Sequence, residues 1–140
     1  MRFAVQRWPL MAIILLGMIA CGKGKGSDGP VPEPEEANLA VVTDPANASV
    51  VAPALGPYSV KVSVTSVMPP TGVKIEVRAR KDDGSGAPAF YTTSVNSTNA
   101  VNSIDILNVP ANTVCRVEIK VSSLSKPANV WDGSYRFSSK

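Results

Sequence analysis

The sequence predicts an all-β domain of two antiparallel sheets packed face to face, and three observations predict it. Apolar and polar residues alternate with period two over three long stretches, the mark of strands buried on one face and wet on the other. Clusters of Pro, Gly, Asn and Asp break the chain about every 8–12 residues, the spacing of short strands in a sandwich. No stretch carries the periodicity of an amphipathic helix.

The elements follow in order. Residues 39–43 (LAVVT) open the domain, and 49–52 (SVVA) continue that strand past a Pro-Asn break. Residues 58–66 place Val60, Val62 and Val64 on one face and Ser and Lys on the other. The turn MPPTG, 68–72, leads to 73–80, where Val73, Ile75 and Val77 alternate with Lys74, Glu76 and Arg78. KDDGSG, 81–86, ends that strand and starts a hairpin return through 90–95. NSTN, 96–99, leads to a strand at 101–107, and PAN, 110–112, to the clearest alternation of all. There Cys115, Val117, Ile119 and Val121 face inward, and Arg116, Glu118 and Lys120 outward. SKPAN, 125–129, precedes a last strand at 134–138. About seven short strands in about 100 residues predict a single immunoglobulin-like sandwich over 39–140.

The segment upstream has another purpose. Residues 1–8 carry Arg2 and Arg7 and no acid, and 10–20 (LMAIILLGMIA) are apolar with Gly17 as the one breaker. A charged start, an apolar run and a small residue before the cut describe a secretory signal peptide. The run is shorter than the roughly 20 residues that a membrane-spanning helix needs. Met18-Ile19-Ala20-Cys21 resembles a bacterial lipobox, with Met18 where leucine is usual. The alternative, an ordinary signal peptide followed by a chance cysteine, calls for an A-x-A-like site, and Met18 is large for its first position. The resemblance implies that residues 1–20 are removed and that Cys21 becomes the lipid-bearing first residue. A mature lipoprotein of this type has three acyl chains, and at about 0.8 kcal/mol per buried methylene they hold it on a membrane.

Residues 21–38 then form the lipidated cysteine and a tether. GKGKGSDGPVPEPEEAN has almost no large apolar residue, so it has no surface to bury in a fold. As a flexible chain it spans roughly 20–25 Å. Gly22 follows the cysteine where an aspartate would signal retention in enterobacterial lipoproteins, so that resemblance implies the outer membrane. The Lys-rich start does not match the acidic surface-export tags of Bacteroidota, and the expected location is the cell envelope, periplasmic or surface-facing.

Composition narrows function. The formal charge of +3 falls to +1 once Arg2 and Arg7 leave, a balance that does not by itself imply a nucleic-acid partner, and none is expected. The 140 residues include no histidine, the commonest general base and metal ligand, so no metal or cofactor is expected. With Cys21 taken by lipid, Cys115 has no partner for an intramolecular disulfide and reads as a small buried hydrophobe.

Val109, Thr113, Cys115, Val117 and Ile119 resemble the start of strand F in fibronectin type III domains. Pro110 lies one place early, and Cys115 stands where that family has its corner tyrosine. The resemblance implies the sandwich without the tyrosine's corner hydrogen bond, and names no ligand.

Three surfaces are candidates for function. If the strands around residues 77, 119 and 136 share a sheet, Arg78, Arg80, Arg116, Lys120 and Arg136 lie on one outer face with Lys74 and Lys140, against Glu76 and Glu118. Such a face suits an acidic glycan, a head-group phosphate or an acidic protein, or is a solvated face that discourages aggregation. The fibronectin-like topology also gathers loops 68–72, 96–99 and 124–133 at one end, where Trp131 is either a sugar or peptide platform or the start of the last strand folded onto the core. Glu76 and Glu118, on neighbouring strands, are the carboxylate pair a small hydrolase would use, yet their Lys and Arg neighbours predict ordinary cross-strand ion pairs. The reading is a non-catalytic envelope lipoprotein, a binding or structural module. Its partners are the membrane, through the anchor, and a glycan or envelope protein; a carbohydrate-binding accessory module is the nearest alternative.

Overall fold

The computed structural model describes residues 35–140; the signal segment, Cys21 and the tether through residue 34 lie outside the described residues. The strands are β1 (Val41–Asp44), β2 (Val50–Ala54), β3 (Tyr58–Val64), β4 (Val73–Lys81), β5 (Tyr91–Ser97), β6 (Val101–Ile106), β7 (Val114–Ser123) and β8 (Val130–Ser139). They form a three-stranded sheet, β1-β3-β6, and a five-stranded sheet, β2-β8-β7-β4-β5. All pairs are antiparallel except β2 with β8. The fold is the immunoglobulin-like sandwich that the alternation predicts.

Seven strands become eight because the first one changes sheets. β1 pairs with β3, and after the break at residues 45–49 β2 pairs with β8 in the opposite sheet. The crossing is tied down on β8: the Ala48 N–H donates to the Ser134 carbonyl at 2.7 Å, and Asn47 Oδ1 accepts the Ser134 N–H at 2.9 Å. Ala48 adopts φ 62° to make the bend.

The core is the predicted set of inward residues. Val60 and Val62 from β3, Val73, Ile75 and Val77 from β4, and Val117, Ile119 and Val121 from β7 are buried, joined by Ile104, Ile106, Tyr135 and Phe137. Each such side chain stabilises the fold by about 1.5–3 kcal/mol through apolar burial. Cys115 is one of them, and burial pushes its thiol pKa up, as suits a packing residue. Tyr58 packs against Phe137 with ring centroids 4.6 Å apart and planes tilted by 37°, and its hydroxyl donates to the Ala54 carbonyl at 2.5 Å, joining the two sheets near β2.

Two boundaries differ from expectation. The last strand begins at Val130 rather than Ser134, so Trp131 lies inside β8, opposite Val121, and not in a loop. The inward parity of Tyr135 and Phe137 continues back through Gly133 to Trp131, so residues 130–133 of the expected loop are strand. At the other terminus the domain's contacts reach back to Glu36, three residues into the stretch read as tether.

Candidate functional site: the outer face of the five-stranded sheet

β4, β7 and β8 are adjacent, so their even-numbered residues share the outer face. The register sets them in cross-strand rows. Arg80, Arg116 and Arg136 form one row; Arg78, Glu118 and Ser134 the next; Glu76, Lys120 and Asp132 the third. β5 extends the second and third rows with Thr92 and Ser94. The face thus brings together Arg78, Arg80, Arg116, Lys120 and Arg136, as expected.

The charge balance differs from expectation. Two acids belong to this face that the sequence reading assigned elsewhere. Asp82 continues the outward parity of β4 one step past Lys81, held there by its N–H bond to the Val114 carbonyl at 2.8 Å. Asp132 arrives because β8 starts early, and it stands opposite Lys120. Extending the period-two count through residue 82 was the signal available for Asp82; the Asp-Asp-Gly turn motif masked it.

These acids and the glutamates sort the bases into two groups. Asp82, with only 13% of its side chain exposed, pairs with Arg116 Nε at 3.3 Å and with Arg136 Nε at 2.5 Å. Glu118 turns from Arg78, its direct cross-strand neighbour, to Arg80 at 3.0 Å. Each arginine of the row therefore has a carboxylate partner, and with Asp82 shared between two of them the row keeps one positive charge in excess. Three guanidinium groups on adjacent strands would otherwise repel one another. Glu76 likewise turns along its own strand to Lys74, at 2.9 Å, rather than across to Lys120. That hydrogen bond, the nearby ammonium charges of Lys74 and Lys120 assisting, holds the Glu76 carboxyl below the usual glutamate range. The two acids have swung toward opposite ends of the face. Among the described residues, Arg78 and Lys120 make no ion pair, and both are exposed.

Those two cations lie in a groove of about 790 Å³ that crosses β5, β4, β7 and β8. Glu76, Glu118 and Asp132 also line it, Thr92 and Ser94 contribute hydroxyls from β5, and Ser134 and Asn47 close the β8 end. A smaller hollow of about 350 Å³ beside it is lined by Ser49, Val50, Ser134, Arg116 and Arg136.

The end formed by the β3–β4, β5–β6 and β7–β8 connections is also assembled as expected. Gly72 (φ 89°) lies so close to Ser97 that a Cβ would meet its carbonyl group, and the Gly72 carbonyl accepts the Leu124 N–H at 3.0 Å. The segment entering β1 docks at this end. Glu36 accepts hydrogen bonds from Ser125 Oγ at 2.7 Å, Asn129 Nδ2 at 2.7 Å and Ser123 Oγ at 3.0 Å, while Asn129 Oδ1 accepts the Leu39 N–H at 2.9 Å. Donation from Ser125 above all holds the Glu36 carboxyl below its ordinary pKa. Trp131 is half-buried against the core, its indole lying over Gly133, so the loop end does not present it as an open platform.

Among the described residues no three Cys, Asp or Glu side chains gather as a metal site would require. Comparison with protein-family models, curated proteins and solved structures finds no match to this chain. What the fold and the face define is a class: an immunoglobulin-like domain with a charged, hydroxyl-lined groove across the outside of its larger sheet.

Proposed function

We propose that this protein is a lipid-anchored bacterial envelope protein whose sandwich is a non-catalytic binding module, acting through the outer face of the five-stranded sheet. The anchor rests on the lipobox-like Met18-Ile19-Ala20-Cys21 and the signal-peptide pattern before it. The binding role rests on one observation, the groove in which Arg78 and Lys120 have no ion-pair partner among the described residues. Binding sites are concave and hold a few convergent polar groups, and this groove has that form. A hydrolase built on Glu76 and Glu118 is disfavoured. A general acid needs a carboxyl kept protonated, and Lys74 draws Glu76 the other way. The described chain enters the domain at the end formed by the β3–β4, β5–β6 and β7–β8 connections, away from the groove's lining residues. The test of the anchor is palmitate labelling in cells: wild-type protein should take label and Cys21→Ser should not. Equal labelling of the two overturns the lipoprotein reading.

A further inference from the structure

We infer that the groove across β5, β4, β7 and β8 takes an acidic saccharide, with a ligand carboxylate seated between Arg78 and Lys120. The inference rests on the reading of this face as a binding surface and adds the class of ligand and the residues that read its charge.

The register supplies the geometry. Arg78 lies opposite Glu118, and Lys120 lies two residues beyond on the same face of β7. Diagonal neighbours of this kind have Cα atoms about 7–8 Å apart, and long side chains reach across that gap. An anion between them meets a guanidinium fork from one side and an ammonium from the other, each a charge-assisted donor. Of the acids beside these cations, Glu118 is engaged by Arg80 and Glu76 by Lys74, while Asp132, opposite Lys120, makes no ion pair with it. Among the described residues neither cation is closed off by an ion pair, and both line the groove on its two middle strands. The larger arginine row is not a site of this kind, since Asp82 and Glu118 satisfy it.

The rest of the lining selects among anions. Thr92, Ser94 and Ser134 present hydroxyls and Asp132 an exposed carboxylate, groups that exchange hydrogen bonds with a polyhydroxylated ring. The groove has no aromatic or large aliphatic side chain on its outward positions, whereas protein partners bind through such anchors in dry pockets. The domain's exposed Val42, Val67, Val101 and Leu107 are not among its lining residues. An open, hydroxyl-rich site carrying two cations that make no ion pair among the described residues suits a uronate or sialate unit within a glycan.

The test uses the full-length protein in detergent, with hexuronate and sialate oligosaccharides, their carboxyl-reduced neutral counterparts, and phosphatidylglycerol-containing vesicles as probes. At low salt at least one acidic oligosaccharide should bind and its reduced counterpart should not. Arg78→Gln and Lys120→Gln should each weaken binding about tenfold or more, the loss of one hydrogen bond to a charged group. Arg116→Gln, whose guanidinium is already occupied by Asp82, should bind within about twofold of wild type, since distant rim charges are largely screened. A thermal melt of each variant separates lost binding from lost fold. The inference fails if neither acidic type is retained, if Arg116→Gln loses as much as Arg78→Gln, or if only the vesicles bind, which assigns the face to an anionic membrane. Binding of the reduced sugars equal to that of the acidic ones overturns the acidic class and leaves the binding-module reading standing; binding of no probe counts against both.

Discussion

Gly133→Ala is the sharpest probe of how β8 was built. A Cβ at Gly133 would lie 2.8 Å from Trp131 Cζ3 and 2.9 Å from Cζ2, and closer still to Cη2. Carbon atoms in ordinary contact are about 3.5–4.0 Å apart, so the ring must retreat by roughly an ångström. Overpacking of this kind costs about 1–3 kcal/mol. Gly133 does not sit at positive φ, so alanine also restricts the unfolded chain and returns about 0.4–1 kcal/mol. The expected net loss is up to about 2.6 kcal/mol. Urea unfolding of the chain from residue 35 onward measures it, and Trp131 is the only tryptophan in that chain, so its emission reports the displaced ring directly. The folded variant should emit at longer wavelength than wild type. In a Trp131→Leu background the same glycine substitution should cost little or nothing, because the obstructing ring is gone. Unchanged emission together with equal or higher stability would refute the packing of the indole over Gly133, and Trp131 would again be a candidate surface platform.

Two further outcomes follow from the packing and the staple. Ile119→Ala should lose about 2–5 kcal/mol in a denaturant melt, since Ile119 is 2% exposed, and its exposed neighbour Lys120→Ala about 0.5 or less; similar losses at both would contradict the register. Glu36 has a folded pKa below its unfolded one, so its contribution is present at neutral pH and is lost as pH falls through and below the glutamate range. Glu36→Gln should therefore melt lower than wild type at pH about 7, with the gap closing at pH about 3; a gap that does not change with pH would remove the charged staple from the account.

The immunoglobulin-like class was legible because side-chain parity is a local property. Val73 through Ala79 and Cys115 through Val121 alternate cleanly, each needs one buried face, and a sandwich supplies it. The same parity placed Arg78, Arg80, Arg116, Lys120 and Arg136 on one side before any sheet was known. It misread the ends, where local chemistry and tertiary context disagree. Asp82 sits in a turn motif and Asp132 in the expected loop 124–133, yet both acids finish on the outer face because pairing with β7 extends the strands that carry them. The break at residues 45–49 was visible, but only pairing shows that it carries the chain from one sheet to the other.

Which charges remain available is a matter of tertiary structure alone. The sequence by itself determined the alternation, the buried valines and isoleucines, Cys115 as packing, and the row of outward bases. It could not say that Glu118 chooses Arg80 over Arg78, that Glu76 chooses Lys74 over Lys120, or that Asp82 closes on Arg116 and Arg136. Each carboxylate has several bases within reach, and the choice is made by strand register, side-chain direction and the twist that brings one diagonal closer than the other. Those are distances between strands far apart in sequence, so only the folded sandwich decides that Arg78 and Lys120 are the cations left facing the groove.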